Sequence, residues 1–166
     1  MARVPLKCLV MVRRASGGWL LTTKASSRTN NEIVTGLGGD LPDIENVDEL
    51  PPIVAALIKE QGDLDLAEHL DRLLLAAILE VETNGNTSAR VFVYTLQCTE
   101  EEEIRLGRAI ELQWWVSTGF PWSRMYPDAQ LWLPLITTGV TDGQVPEIRA
   151  FYDRNGKFGF IQVGFA

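Results

Sequence analysis

The chain has 166 residues, 46% of them apolar, which suits one continuous hydrophobic core, so residues 1–166 are read as a single domain. Fifteen Lys and Arg against 22 Asp and Glu give a formal charge of −7, with the positive residues scattered rather than gathered into a stripe. That argues against a partner gripped through a nucleic-acid backbone, whereas net charge of this size also keeps an ordinary small domain soluble.

Arg3, Lys7, Arg13 and Arg14 surround the apolar run Cys8 to Val12, which is too short for a signal-peptide core or a membrane span, so the chain is expected in the cytosol and away from membranes. Val4 to Val12 and Trp19 to Thr23 read as strands joined by a turn at Gly17-Gly18. The cysteines, Cys8 and Cys98, lie in apolar strand-like segments without metal or redox spacing, and are expected to pack in the core. A polar loop over Ala25 to Glu32 leads to Gly36-Leu37-Gly38-Gly39, where the backbone can take positive φ or approach a ligand closely.

Asp48 is placed to cap a helix that admits Pro51 and Pro52 in its first turn and ends at Gly62. Leu50, Ile53, Val54, Leu57 and Ile58 form its apolar stripe. Asp65 to Leu73 suggests a further helical turn or two. Leu74 to Glu82 and Arg90 to Gln97 read as strands turned at Asn84-Gly85-Asn86, with the alternation of the second partly blurred. Glu100 to Glu103 open a polar excursion that ends at a strand over Leu112 to Val116. Pro127 to Ile136 suits a second helix, and two strands around Asp153-Arg154-Asn155-Gly156 close the chain. The order implies an α+β fold with a mixed sheet between helices.

Three stretches together resemble the Nudix superfamily, and within it the branch that cleaves 8-oxo-dGTP and related oxidised purine nucleotides. The first is Leu20-Leu21-Thr22-Thr23-Lys24 followed by Val34-Thr35-Gly36-Leu37-Gly38-Gly39-Asp40. The second is Trp114-Trp115 with Phe120-Pro121. The third is Met125-Tyr126-Pro127-Asp128-Ala129 with Trp132, Pro134 and Leu135. The resemblance runs over nearly the whole chain and implies a Nudix fold, a mixed sheet sandwiched between helices. Nudix proteins occur as monomers and as dimers, so a homodimer stays open.

Nudix enzymes cleave a nucleoside diphosphate linked to a further group, using Gly, five residues, Glu, seven residues, then Arg-Glu-apolar-x-Glu-Glu-x-Gly. On a helix the three carboxylates of Arg-Glu-x-x-Glu-Glu share one face, where they hold magnesium that neutralises the diphosphate and orients a water. Here Gly39 and Glu45 keep the opening half. With Gly62 as the closing glycine, Ala55-Ala56 stand for Arg-Glu and Lys59-Glu60 for the glutamate pair, and the interval between the halves is two residues longer. Glu60 is the surviving box carboxylate, or else a solvated residue near a helix end. Glu111 is the nearest match to a further glutamate the family often uses before the strand at Leu112, although strict spacing points to Ala109. Catalytic candidates are therefore Glu45, Glu60 and Glu111, the last two also as weak magnesium ligands.

The resemblance implies a purine pocket on a sheet face. Thr35 replaces its Asn, Asp128 keeps the first of two aspartates, Ala129 loses the second, and Tyr126 replaces a Trp. Asp128 can accept from a purine N–H and amino group, or donate if burial keeps it protonated. Tyr126 can stack on a base. Leu37, Gly38 and Gly39 border the same place. Trp132 reads equally as core packing or ligand contact, and Lys24 as a phosphate contact or an exposed residue. Two functions follow: a protein that binds, and with an atypical metal site hydrolyses, a nucleoside di- or triphosphate or related small diphosphate; or a catalytically inactive ligand-binding or protein-interaction module.

Overall fold

The computed structural model describes residues 3–26, 31–109, 111–139 and 143–165. A nine-stranded sheet runs β3-β2-β1-β6-β5-β8-β9, with β4 added beside β1 and β7 beside β2. The strands are β1 (Leu6–Arg13), β2 (Trp19–Ala25), β3 (Glu32–Thr35), β4 (Leu37–Leu41), β5 (Leu74–Thr83), β6 (Asn86–Gln97), β7 (Leu112–Trp115), β8 (Pro146–Tyr152) and β9 (Phe158–Phe165). The sheet is mixed: β1 pairs parallel with β6 and β5 parallel with β8, while the other pairs are antiparallel.

Helices cover both faces. Residues at alternate positions of β1 separate cleanly, with Cys8, Val10 and Val12 in one core and Leu9 and Met11 in the other. Strand β6 does the same with Phe92, Tyr94 and Leu96 against Val91 and Val93. It lies between β1 and β5 and is buried on both sides, which is why its sequence alternation is blurred.

Helix α1 (Leu50–Gly62) closes the first face. Its Leu50, Val54 and Ile58 are fully buried, each contributing about 1.5–3 kcal/mol of apolar burial. Asp48 is not its cap. The chain enters through a 3-10 turn, Val47–Glu49, where the Asn46 side chain accepts from the Asp48 N–H and Glu49 accepts in return from the Asn46 N–H. The helix ends at the left-handed Asp63. Helix α3 (Ala129–Thr137) closes the opposite face with Trp132, Leu133 and Ile136. The segment expected to be helical over Asp65 to Leu73 holds one short 3-10 turn, Leu70–Arg72.

The polar excursion after Cys98 contains a helix that the sequence reading lacks, α2 (Glu100–Leu106). Thr99 accepts from the Glu102 N–H and Glu102 accepts from the Thr99 N–H, so the glutamates sit at the helix end whose dipole favours negative charge. Arg72 anchors it through a two-pronged contact to Glu102 at 3.0 and 2.5 Å.

Two glycine positions behave as their backbone demands. Asn84 and Gly85 both take positive φ between β5 and β6, as a tight hairpin requires. Gly38 has φ +129°, and a Cβ there would lie 2.2 Å from the Cys8 carbonyl oxygen, so β4 can lie against β1 only with glycine at this place. Among the described residues, no helix is long and apolar enough to cross a membrane.

Candidate functional site

The glycine strand, the sheet face beneath α3 and the segment leading into α3 enclose a cleft of about 870 Å³. That is within the range of small-molecule sites. Its floor is apolar, formed by Leu9 and Met11 of β1, Leu79 and Val81 of β5 and Val91 of β6. Polar groups converge from three sides. Lys24 and Thr35 come from β2 and β3, Tyr126 and Asp128 from the entry to α3, and Tyr152, Arg154 and Asn155 from the end of β8 and its turn.

Asp128 is 1% exposed and stands at the start of α3. Its Oδ2 accepts from the Trp132 indole Nε1 at 2.7 Å, one helical turn on, and its Oδ1 accepts from the Tyr152 hydroxyl. The carboxylate thus ties α3 to β8 at the back of the cleft. The Tyr126 hydroxyl shares a hydrogen bond with the Ser26 hydroxyl at 3.0 Å, fixing the ring beside the loop after β2.

At the glycine end, Lys24 Nζ donates to the Gly38 carbonyl at 2.5 Å. The Gln61 amide of α1 brackets the same peptide, donating to the Gly38 carbonyl at 2.6 Å and accepting from the Gly38 N–H at 2.9 Å. Burial holds the Lys24 ammonium below the usual lysine range, opposed by Cys8 and Asp40, which push it up, and supported by Lys7. Burial likewise pushes the Cys8 thiol up, and both cysteines are free and buried, as packing residues should be. Lys7 pairs with the exposed Asp40 at 3.1 Å at the cleft's edge.

Of the residues singled out from sequence, Lys24, Thr35, Gly39, Tyr126, Asp128 and Trp132 line this one cleft. Trp132 is both core and wall, since it is 3% exposed and part of the α3-side cluster. Gly38 takes part through its backbone. Leu37 faces away, fully buried in the α1-side core. The sequence reading passed over Tyr152 and Gln61. Neither residue type at those places carries a local signal, because each meets its partner only through the sheet and the packing of α1.

The three glutamates are elsewhere. Glu45 is exposed in the loop before α1, with its backbone N–H donating to the Glu49 carboxylate at 3.1 Å. Glu60 is exposed on α1, next to Lys59, which pairs with Asp65 at 3.5 Å. Glu111 is exposed in the turn before β7. Ala55, standing for the box arginine, is buried in the core. Among the described residues, no three His, Cys, Asp or Glu side chains form a group able to hold a metal ion. Hard cations need several oxygen ligands, so these residues do not fit the magnesium site of the resembled family.

No protein-family model matches the chain, and no curated protein matches it by sequence. Solved structures do. The mutator MutT protein from Bacillus halodurans superposes with a TM-score of 0.61 at 13% identity, over 96% of this chain and 97% of that one. A Nudix hydrolase from Nitrosomonas europaea gives 0.58 at 11% identity, over 92% and 81%. T. brucei MERS1, in a complex with RNA, gives 0.50 at 9% identity, over 86% of this chain and 59% of that one. At such identities the likeness speaks for architecture alone, and it agrees with the strand order and flanking helices: the chain has the α+β Nudix fold.

Proposed function

We propose that this chain is a single-domain cytosolic protein that binds a small ligand with a flat, hydrogen-bonding base and an anionic tail in the cleft under α3. A nucleoside di- or triphosphate, or a related diphosphate, has that chemistry. The observation that carries the reading is the divergence between two sets of residues that the family resemblance treats as one site. Lys24, Thr35, Tyr126 and Asp128 line one cleft with an apolar floor, whereas Glu45, Glu60 and Glu111 are exposed and form no cation-binding group.

A base laid on the floor meets Tyr126 for stacking and Asp128 and Thr35 for its edge. Asp128 already accepts from Trp132 and Tyr152, so its orientation is set before a ligand arrives. Hydrolysis through a three-carboxylate magnesium cluster does not follow from these residues, and the function proposed is binding. The test is a nucleotide panel measured in parallel for release of phosphate or diphosphate with magnesium and for thermal stabilisation in EDTA. Stabilisation without metal-dependent turnover is expected. Turnover that disappears in Glu60→Ala would show instead that the box helix works as an enzyme.

A further inference from the structure

Lys24 is a half-buried ammonium on the wall of the cleft. Its hydrogen-bond partner is the neutral Gly38 carbonyl, and among the described residues it makes no close ion pair with a carboxylate; the nearby Asp40 pairs with Lys7 and reaches Lys24 only through space. An ammonium has three donors and no acceptor, so two of its protons are left to the cleft. A cation drawn out of water and held against a carbonyl is costly to the fold unless an anion completes it.

The helix that would supply metal carboxylates supplies Gln61 instead. Its neutral amide clamps both the N–H and the carbonyl of Gly38, which fixes the acceptor that aims Lys24 Nζ. Net positive charge at this end of the cleft therefore comes from a side chain, at the place where the ligand's tail would leave the apolar floor.

We propose that the Lys24 ammonium is the counter-ion for the anionic tail, so that a di- or triphosphate is neutralised by a side chain and binds without a divalent cation, with Gln61 as the positioning residue. This rests on the binding reading above. Burial lowers the proton affinity of Lys24, and Cys8 and Asp40 oppose this without outweighing it.

Calorimetry with 8-oxo-dGTP and with its uncharged nucleoside, each in EDTA and in magnesium, separates the two claims. The triphosphate is expected to bind more tightly than the nucleoside, equally in both buffers. Lys24→Met should remove about ten- to a hundred-fold of triphosphate affinity while leaving the nucleoside unchanged, and Lys24→Arg should keep most of it. Gln61→Glu, which offers Lys24 an internal carboxylate, should also weaken the triphosphate alone. If the nucleoside binds but the triphosphate's advantage needs magnesium, or survives in Lys24→Met, the counter-ion role is overturned and the cleft reading stands. If neither compound binds the wild-type protein, both fail.

Discussion

Replacing Asp128 with alanine should cost stability before it costs recognition. The carboxylate is 1% exposed and receives two donors, the Trp132 indole N–H at 2.7 Å and the Tyr152 hydroxyl. Truncation removes this acceptor from both. A buried donor left unsatisfied costs about 1–3 kcal/mol. Trp132 is 3% exposed and cannot turn to water, so its share sits towards the upper end, whereas Tyr152 is half-buried at the cleft wall and regains a water partly. The sum is about 2–4 kcal/mol, a large part of the roughly 5–15 kcal/mol that holds a domain together. With a urea m-value of about 2 kcal/mol/M, the middle of the usual range, the unfolding midpoint should fall by about 1–2 M. In a Trp132→Phe background the indole donor is gone, and the same truncation should cost about 2 kcal/mol less. A loss under about 0.5 kcal/mol, or an equal loss in both backgrounds, would refute the view that Asp128 ties α3 to β8. Ligand affinity of Asp128→Ala is therefore to be read well below its own unfolding transition.

Gly38→Ala should fail to give a folded protein by circular dichroism, because φ +129° disfavours a side chain and the new Cβ would lie 2.2 Å from the Cys8 carbonyl oxygen. Thr99→Ala removes the cap of α2 and should cost about 0.5–2 kcal/mol in urea unfolding. At Glu102, burial pushes the carboxyl up, but the Arg72 and Thr99 hydrogen bonds with the Arg72 charge outweigh it and leave it below its ordinary value of 4.5. A carboxyl depressed in the folded state stabilises above its unfolded pKa and loses that contribution as pH falls through the folded one, so stability should drop below about pH 4.5, and less so in Glu102→Gln. Magnesium should leave the melting temperature of the free protein unchanged, and Glu60→Ala should shift stability by no more than about 0.5 kcal/mol, since Glu60 is exposed.

What the sequence showed best was local. The Gly17-Gly18 and Asn84-Gly85 turns, the α1 stripe and the glycine run each announce themselves through residues close in the chain, whereas the parallel pairings of β1 with β6 and of β5 with β8 join distant segments and carry no local signal. Helix α2 was also legible, in Thr99 three residues before Glu102, but a run of four glutamates reads as a solvated loop unless the cap is weighed first. The start of α1 shows the same competition, with Asn46 capping the 3-10 turn that leads into the helix where Asp48 was expected to cap the helix itself.

The site was half visible. Lys24, Thr35, Tyr126 and Asp128 are far apart in sequence yet line one cleft. Leu37 went to the other side because the strand brings Gly36 to the cleft and turns its neighbour into the α1 core. Tyr152 and Gln61 were out of reach for a different reason. Tyr152 meets Asp128 across 24 residues and Gln61 meets Gly38 across 23, and nothing in either residue type foretells the pairing.

The most direct test of the account is where a ligand touches the backbone. Amide shifts recorded by heteronuclear NMR on the protein titrated with 8-oxo-dGTP in EDTA should move at Thr35, Gly39, Tyr126, Ala129 and Tyr152, around the cleft. Shifts gathered at Glu45, Glu60 and Glu111, and appearing only when magnesium is added, would contradict it.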